Sequence, residues 1–284
     1  MACPTLWKNW PLTVTHVSVN AGVAYLTVNN PPLNVLDAPL IRDFRAFVDA
    51  VSDDAAIRVV VLQSADPEFF LAHGDANFVT NPALVAELSE GFTGDLNALQ
   101  VLHESFRQLP QVTIAKIAGF ARGGGHELAM ALDMRFAAIG TAFVAQPETL
   151  LGIVPGGGGT QYLTRLTGRA RALEVILGGA LLDAEQAARY GLVNRALPAG
   201  ELDEFVDDLA RRIASLAPEV IEGARTAIDG ALSTDLATGL GIENAQLMSL
   251  FTPAAAQRTI DLLERGYQTR EGERDLEALL TTPN

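Results

Sequence analysis

A chain of 284 residues with 49% hydrophobic and 19% charged residues has the make-up of a folded globular protein with a sizeable core, not of a disordered or fibrous one. Its 34 acidic against 20 basic residues leave a formal charge of −14, which opposes general attraction to nucleic acid or to an anionic membrane and requires a local site for any phosphate-bearing ligand. The single cysteine, Cys3, excludes an intrachain disulfide, and a structural zinc would need other ligands.

Met1 to Pro11 lacks the basic flank and apolar run of a secretory signal. No later stretch approaches the roughly 18 uninterrupted apolar residues of a membrane span, so a cytoplasmic protein is expected. Val14 to Val19 and Val23 to Val28 are rich in β-branched residues around Asn20-Ala21-Gly22, which predicts a hairpin. Asp37 is placed to cap a helix whose Leu40, Ile41, Phe44, Phe47, Val48 and Val51 fall on one face. Ile57 to Leu62 reads as a strand buried on both sides. Leu96, Leu99, Leu102, Phe106 and Leu109 mark a further amphipathic helix ending before Pro110, since proline breaks the ladder. Val112 to Ile117 is the next strand, Gly119 to Gly125 a glycine-rich turn, His126 to Leu132 a short helix, and Met134 to Ala138 another strand. The repeated unit is strand, loop, helix.

Beyond Gly168 helical patterns dominate: Arg169 to Leu177, Asp183 to Tyr190 closed by Gly191, and Leu202 to Leu216 before Pro218, with Leu192 to Ala196 as a short edge strand. The rest is expected to be helical, and Asp261 to Leu280 carries mixed charge suited to an exposed or subunit-bridging surface. The division predicted is a core over 1–199 and a helical region over 200–284.

Three consecutive glycines between a strand and a helix, in Gly119-Phe-Ala-Arg-Gly-Gly-Gly-His-Glu-Leu-Ala-Met-Ala-Leu-Asp133, let backbone N–H groups approach an anionic ligand closely. A tight, closely packed turn would need the same glycines. A P-loop is excluded because neither Gly123 to Gly125 nor Gly156 to Gly159 leads into lysine. The dinucleotide fingerprint and the Gly-x-Ser-x-Gly nucleophile elbow are also absent. Four scattered histidines show no metal-ligand spacing.

The combination is more telling than any one segment. The glycine loop is followed by Gln146-Pro-Glu-Thr-Leu-Leu-Gly-Ile-Val-Pro-Gly-Gly-Gly-Gly-Thr-Gln161 and preceded by Phe70-Leu-Ala-His-Gly-Asp75 and Asn30-Pro-Pro-Leu-Asn34. Together they resemble the crotonase (enoyl-CoA hydratase/isomerase) family from about Ala24 to Leu197. The resemblance implies an α/β spiral of ββα units with a helical C-terminal region that forms a homotrimer or homohexamer. It also implies that the N–H groups of Gly74 and Gly124 hold a thioester enolate oxygen, that Glu127 handles water, and that Glu148 handles the α-proton. Coenzyme A, entering as part of the substrate, would meet the backbone around Pro32, Leu33 and Ala72, with no metal, no redox cofactor and no tightly bound group. The activity implied is hydration of a 2-enoyl-CoA. Isomerisation, another acyl-CoA lyase or hydrolase reaction, and a non-catalytic protein that binds an acyl-CoA or a partner protein are the alternatives.

Each glutamate also has a structural reading, because an acidic residue suits a helix N-terminus and Glu148 follows Pro147. His73 and His126 stand where the family more often has a glycine and a small or thiol-bearing residue, and neither is assigned a catalytic role. Arg122 could approach an anionic group or simply be a surface arginine. A basic residue common near Pro32 in the family is missing, and Arg270-Glu-Gly-Glu-Arg-Asp-Leu-Glu-Ala-Leu departs from the family's tail. The segment from Asn77 to Gln100 would border an acyl pocket and is unusual.

Overall fold

The first hairpin pairs β1 (Thr15–Asn20) antiparallel with β2 (Val23–Val28). Its two-residue turn places Ala21 at φ 48° and Gly22 at φ 80°, the left-handed geometry that matches strand twist. The computed structural model describes residues 12–90 and 94–281. Cys3 and the Met1 to Pro11 stretch, on which the disulfide and signal readings rest, lie outside the described residues. Among those residues no helix is long and apolar enough to cross a membrane.

Helix α1 (Ala38–Ser52) begins where expected, with the Asp37 side chain accepting the Leu40 N–H. All six of its predicted apolar positions are buried. Asp43 is buried on the same helix because it accepts hydrogen bonds from the N–H groups of Thr13 and Val14 and from the hydroxyls of Thr13 and Thr15. It thereby ties the start of the hairpin to α1. The chain continues through β3 (Val59–Ser64), β4 (Phe69–Leu71), α2 (Asn77–Thr80), α3 (Pro82–Leu88), α4 (Ala98–Arg107), β5 (Val112–Ile117), β6 (Phe120–Arg122) and α5 (Gly124–Ala131). Then come β7 (Met134–Ile139), β8 (Phe143–Ala145), a 3-10 turn over Glu148–Leu151, α6 (Gly159–Thr167), α7 (Arg169–Gly178), β9 (Leu182–Asp183), α8 (Ala184–Tyr190), β10 (Arg195–Pro198) and α9 (Leu202–Ala214).

Two sheets share these strands. One has the order β1-β2-β3-β5-β7-β10 and the other β4-β6-β8-β9. Each of the long parallel strands β3, β5 and β7 is followed by a short strand of the second sheet before the chain turns into helix, which makes the spiral of ββα units. Of the short strands, β6 lies inside the Gly119 to Gly125 stretch expected to be a turn, and β4 and β8 lie where no element is predicted. At three residues each they are too short to show a period. What stabilises them is non-local: Phe69, Phe120 and Phe143 are in register, with ring centroids 5.7 and 5.1 Å apart, and cross-strand aromatic pairs are among the strongest in a sheet. Because β6 occupies the predicted turn, α5 starts at Gly124 and not at His126.

The chain divides into two compact units between Ser215 and Leu216. Helix α9, grouped by the sequence reading with the helical region, packs in the first unit on β2, β3, β5 and β7. Phe205 lies 5.1 Å from Phe136, and Asp203 pairs with Lys116 at 2.6 Å. The second unit holds α10 (Pro218–Ser233), α11 (Leu236–Ser249), α12 (Pro253–Glu264), a 3-10 turn over Gly272–Asp275 and α13 (Leu276–Thr281). Gly223 faces Gln246 and Leu250 while Gly230 faces Ile242, so α10 and α11 run in opposite directions. Leu236, Leu240, Leu247 and Met248 on α11 are exposed.

The contact that positions the site is that of α5 on β4. A Cβ on Gly125 would lie 2.4 Å from the Leu71 carbonyl oxygen and 2.5 Å from its Cβ, so the two backbones touch directly. Gly125→Ala is expected to destabilise the protein by about 1–3 kcal/mol, read as a lower urea midpoint. Gly178→Ala, at a helical glycine with open space around it, should leave the midpoint unchanged or raise it. Equal midpoints for the two variants would contradict this packing.

Candidate active site

Strand β6 delivers the chain to Gly123, whose φ of 48° and ψ of −128° suit glycine and turn it sharply into α5. A side chain at Gly123 would also collide with Glu148, whose Oε1 lies 2.7 Å from the Cβ position. Gly124 is the first residue of α5, and the first N–H groups of a helix have no acceptor within it. Gly74 follows β4 in a bridge to Leu36. That bridge is made by the His73 carbonyl and the Asp75 N–H, at 2.8 and 3.1 Å, so the Gly74 N–H takes no part in it. A Cβ on Gly124 would lie 3.3 Å from the Gly74 nitrogen, which places the two glycines side by side.

The loop bearing Gly74 is held from behind by Asn34. Its Nδ2 donates to the Ser64 hydroxyl at 2.7 Å and to the Phe69 carbonyl at 2.9 Å, and its own carbonyl accepts the Ala72 N–H at 3.2 Å. Asn30 N–H donates in turn to the Asn34 side chain at 2.7 Å.

Glu127 projects from the first turn of α5 and is only 2% exposed. Its Oε1 accepts the N–H groups of Gly157 and Gly159 at 2.8 and 2.7 Å, so Oε2 is the oxygen available to a ligand. Burial pushes its pKa up to about 7. The Gly159 bond opposes this, the Glu148 charge adds to it, and the Gly157 bond opposes it again. Glu148 opens the 3-10 turn after β8, and burial raises its carboxyl as well. The fully buried Gln146 points its amide at Glu148, 3.4 Å from Oε2. The negative charge of Glu148 thus disfavours ionisation of Glu127.

Glu127, Glu148, Gly74 and Gly124 all line one cavity of about 460 Å³. Its apolar wall includes Phe78, Val79, Leu99, Leu151, Ile153 and Val154. The segment expected to border the pocket therefore supplies three of these side chains, from α2 and α4. His73 lines the cavity and donates from Nδ1 to the Gly74 carbonyl at 2.8 Å. Arg122 also lines it, with its guanidinium 4.0 Å above the Phe120 ring. His126 faces away, fully buried against Gln146 Oε1 at 3.0 Å, and burial lowers it to about 4.

Pro32, Leu33 and Ala72 are not brought to this cavity. Pro32 is exposed and Leu33 half-buried in the segment before α1, and Ala72 is buried beside Asn34. Among the described residues no cluster of three or more His, Cys, Asp or Glu could hold a metal ion.

The sequence reading missed Gly157 and Gly159 as donors to Glu127, and it missed Gln146 and His103. The run of four glycines was the available signal, since close backbone approach to a buried group requires them. A Cβ on Gly157 would lie 2.6 Å from both Glu127 Oε2 and a His103 ring carbon.

The raised pKa of Glu127 has a consequence for stability. Its value of about 7 exceeds the ordinary 4.5, so the unfolded chain gives up this proton first as pH rises. The fold is therefore penalised progressively between those values and by a constant amount above them. Glu127→Gln has no proton to lose, so its Tm advantage over the parent should widen from about pH 5 to about pH 8. A gap independent of pH would contradict the assignment.

Comparison with known proteins bears on the same residues. A family model described as enoyl-CoA hydratase/isomerase matches residues 18–270. The short-chain-enoyl-CoA hydratase of Clostridium acetobutylicum is 32% identical over 235 residues, covering 81% of this chain and 86% of that protein. The solved structure of enoyl-CoA hydratase from Bacillus anthracis is 31% identical with a TM-score of 0.80, covering 89% of this chain and 97% of that one. A solved structure from Streptomyces avermitilis is 48% identical with a TM-score of 0.74, covering 94% and 97%. With its ββα spiral, its adjacent Gly74 and Gly124 and a family match over most of its length, the chain belongs to the crotonase, or enoyl-CoA hydratase/isomerase, family.

Proposed function

We propose that the protein is an enoyl-CoA hydratase that adds water across the double bond of a 2-enoyl-CoA. The observation that carries this reading is that two carboxyls, Glu127 and Glu148, line the same cavity as the adjacent Gly74 and Gly124. The thioester oxygen would sit between the two glycine N–H groups. Water held at Glu127 attacks C3 and gives its proton to that carboxylate. The C2–C3 π electrons become the C1–C2 bond of an enolate, and the carbonyl pair moves onto the oxygen. The enolate then collapses and takes a proton at C2 from Glu148, so that hydroxyl and hydrogen have been added. The proton left on Glu127 returns to Glu148 through water.

Preorganised donors aimed at a developing oxyanion are worth about 3–4 kcal/mol each. Glycine suits Gly124 because a Cβ there would lie 3.3 Å from the Gly74 nitrogen. Burial raises both carboxyls, Glu127 to about 7, which suits a pair that passes one proton between them. Isomerisation could use the same oxyanion site with a single carboxylate moving a proton; the pair of glutamates favours hydration. On this reading coenzyme A enters as part of the substrate near Pro32, Leu33 and Ala72, with no tightly bound cofactor. A cytoplasmic homotrimer or homohexamer is part of the proposal, supported by the exposed apolar residues of α11.

Purified protein is expected to abolish the conjugated-thioester absorbance of crotonyl-CoA, and Glu127→Gln and Glu148→Gln should each lower kcat by about 10²- to 10⁴-fold. Undiminished turnover in either variant would sink the two-carboxylate mechanism. Tight CoA binding with no turnover would point to another enolate reaction or to a binding protein.

A further inference from the structure

The Gly156–Gly159 segment has no side chains to fix its path, and glycine is the residue with most freedom to lose. Two of its N–H groups nevertheless converge on one oxygen of Glu127. The restraint comes from α4. Asn97, its N-cap, donates from Nδ2 to the Gly156 carbonyl at 2.8 Å, and His103 bonds through Nδ1 to the Gly157 carbonyl at 2.6 Å. Two successive carbonyls of the glycine run are thus pinned by one helix.

His103 is fully buried. A carbonyl can only accept, so Nδ1 carries the proton, and Nε2 has no partner among the described residues. Burial brings the imidazole down to about 4, which keeps it neutral where the enzyme would work. It therefore contributes a fixed donor and no charge.

We propose that His103 and Asn97 are positioning residues for Glu127. By holding the carbonyls of Gly157 and Gly156 they aim the N–H groups of Gly157 and Gly159 at Oε1 and keep the carboxylate form of Glu127 within reach. The groups around Glu127 that bear on its ionisation are few. Glu148, after β8, raises it. Tyr162 of α6 is held neutral by burial and by donating to Glu104 at 2.7 Å. His103 of α4 is neutral, and His126, next to Glu127 on α5, is turned to Gln146. Loosening the glycine segment would remove stabilisation of the anion while leaving its burial and the Glu148 charge in place, so the pKa would rise.

This inference rests on the proposed role of Glu127 at the water, but its test need not use turnover. The full-length protein labelled with ¹³Cδ-glutamate is titrated by NMR without substrate, the Glu127 signal being identified by its loss in Glu127→Gln. His103→Phe removes the donor and keeps a planar ring. Asn97→Ser keeps an oxygen to cap α4 and removes the reach to Gly156. Both should move the Glu127 midpoint upward, by about one pH unit for His103→Phe and less for Asn97→Ser. His103→Gln, which retains a donor, should return it toward the parent. With crotonyl-CoA the same variants should lower kcat more than they change KM. A Glu127 midpoint at the parent value in the folded variants would overturn the proposal, even if Tm fell. If His103→Phe does not fold, the Glu127 midpoint in Asn97→Ser decides the matter in the same way. Failure of the parent protein to hydrate crotonyl-CoA, with the Glu127 midpoint still raised in the variants, would count against the hydratase reading and leave this one standing.

Discussion

No side chain fits between α5 and β4, where the Gly125 Cα faces the Leu71 carbonyl, and the geometry of the site depends on that contact. It brings Gly124, at the open end of the helix, beside Gly74, in the loop after β4, and it sets Glu127 one turn further along against the cavity. The other end of α5 is anchored as firmly. Arg135, almost fully buried, donates from Nη1 to the Leu132 carbonyl at 2.7 Å and from Nε to the Leu192 carbonyl at 2.8 Å. A cation there satisfies carbonyls that a helix leaves open and complements its dipole. Helix α5 is therefore fixed by backbone contact at one end and by a buried guanidinium at the other.

The same logic of fixed backbone explains the electrostatics. Burying a carboxyl favours its neutral form, and hydrogen bonds from N–H groups favour the anion. At Glu127 these act together, and burial prevails only far enough to bring the group to about 7. A group poised there can both accept and return a proton near neutral pH. On the inference drawn above, the poise depends on a glycine run held by α4, so two residues outside the cavity lining help to set the acidity of a carboxyl within it.

Much of this was legible in local sequence. Asp37, the apolar face of α1, the strand at Val112 to Ile117 and the Gly191 helix stop each act within a few residues, where period and capping chemistry are readable. The ordered glycine and glutamate motifs singled out Gly74, Gly124, Glu127 and Glu148, which line one cavity. Features fixed by distant partners were not legible. The short strands depend on a phenylalanine ladder running from Phe69 to Phe143. Asp43 is buried because Thr13, Val14 and Thr15, at the entry to the first strand, come to it. Leu96 lies before α4 and is exposed, since the capping box at Asn97 starts the helix after it. The donors to Glu127 lie 30 and 32 residues away in the chain, and His103 reaches across 54. No local pattern records such pairings.

On the proposed mechanism two carboxyls share one proton during hydration. The pH dependence of kcat/KM for crotonyl-CoA tests it most directly. A pair that must hold one proton gives a bell with an acid and an alkaline limb, whichever member carries the proton, and the two apparent pKa values belong to the pair. A rate that stays level from about pH 5 to about pH 9 would show that neither carboxyl titrates in the reaction, and the account of Glu127 and Glu148 would have to be abandoned.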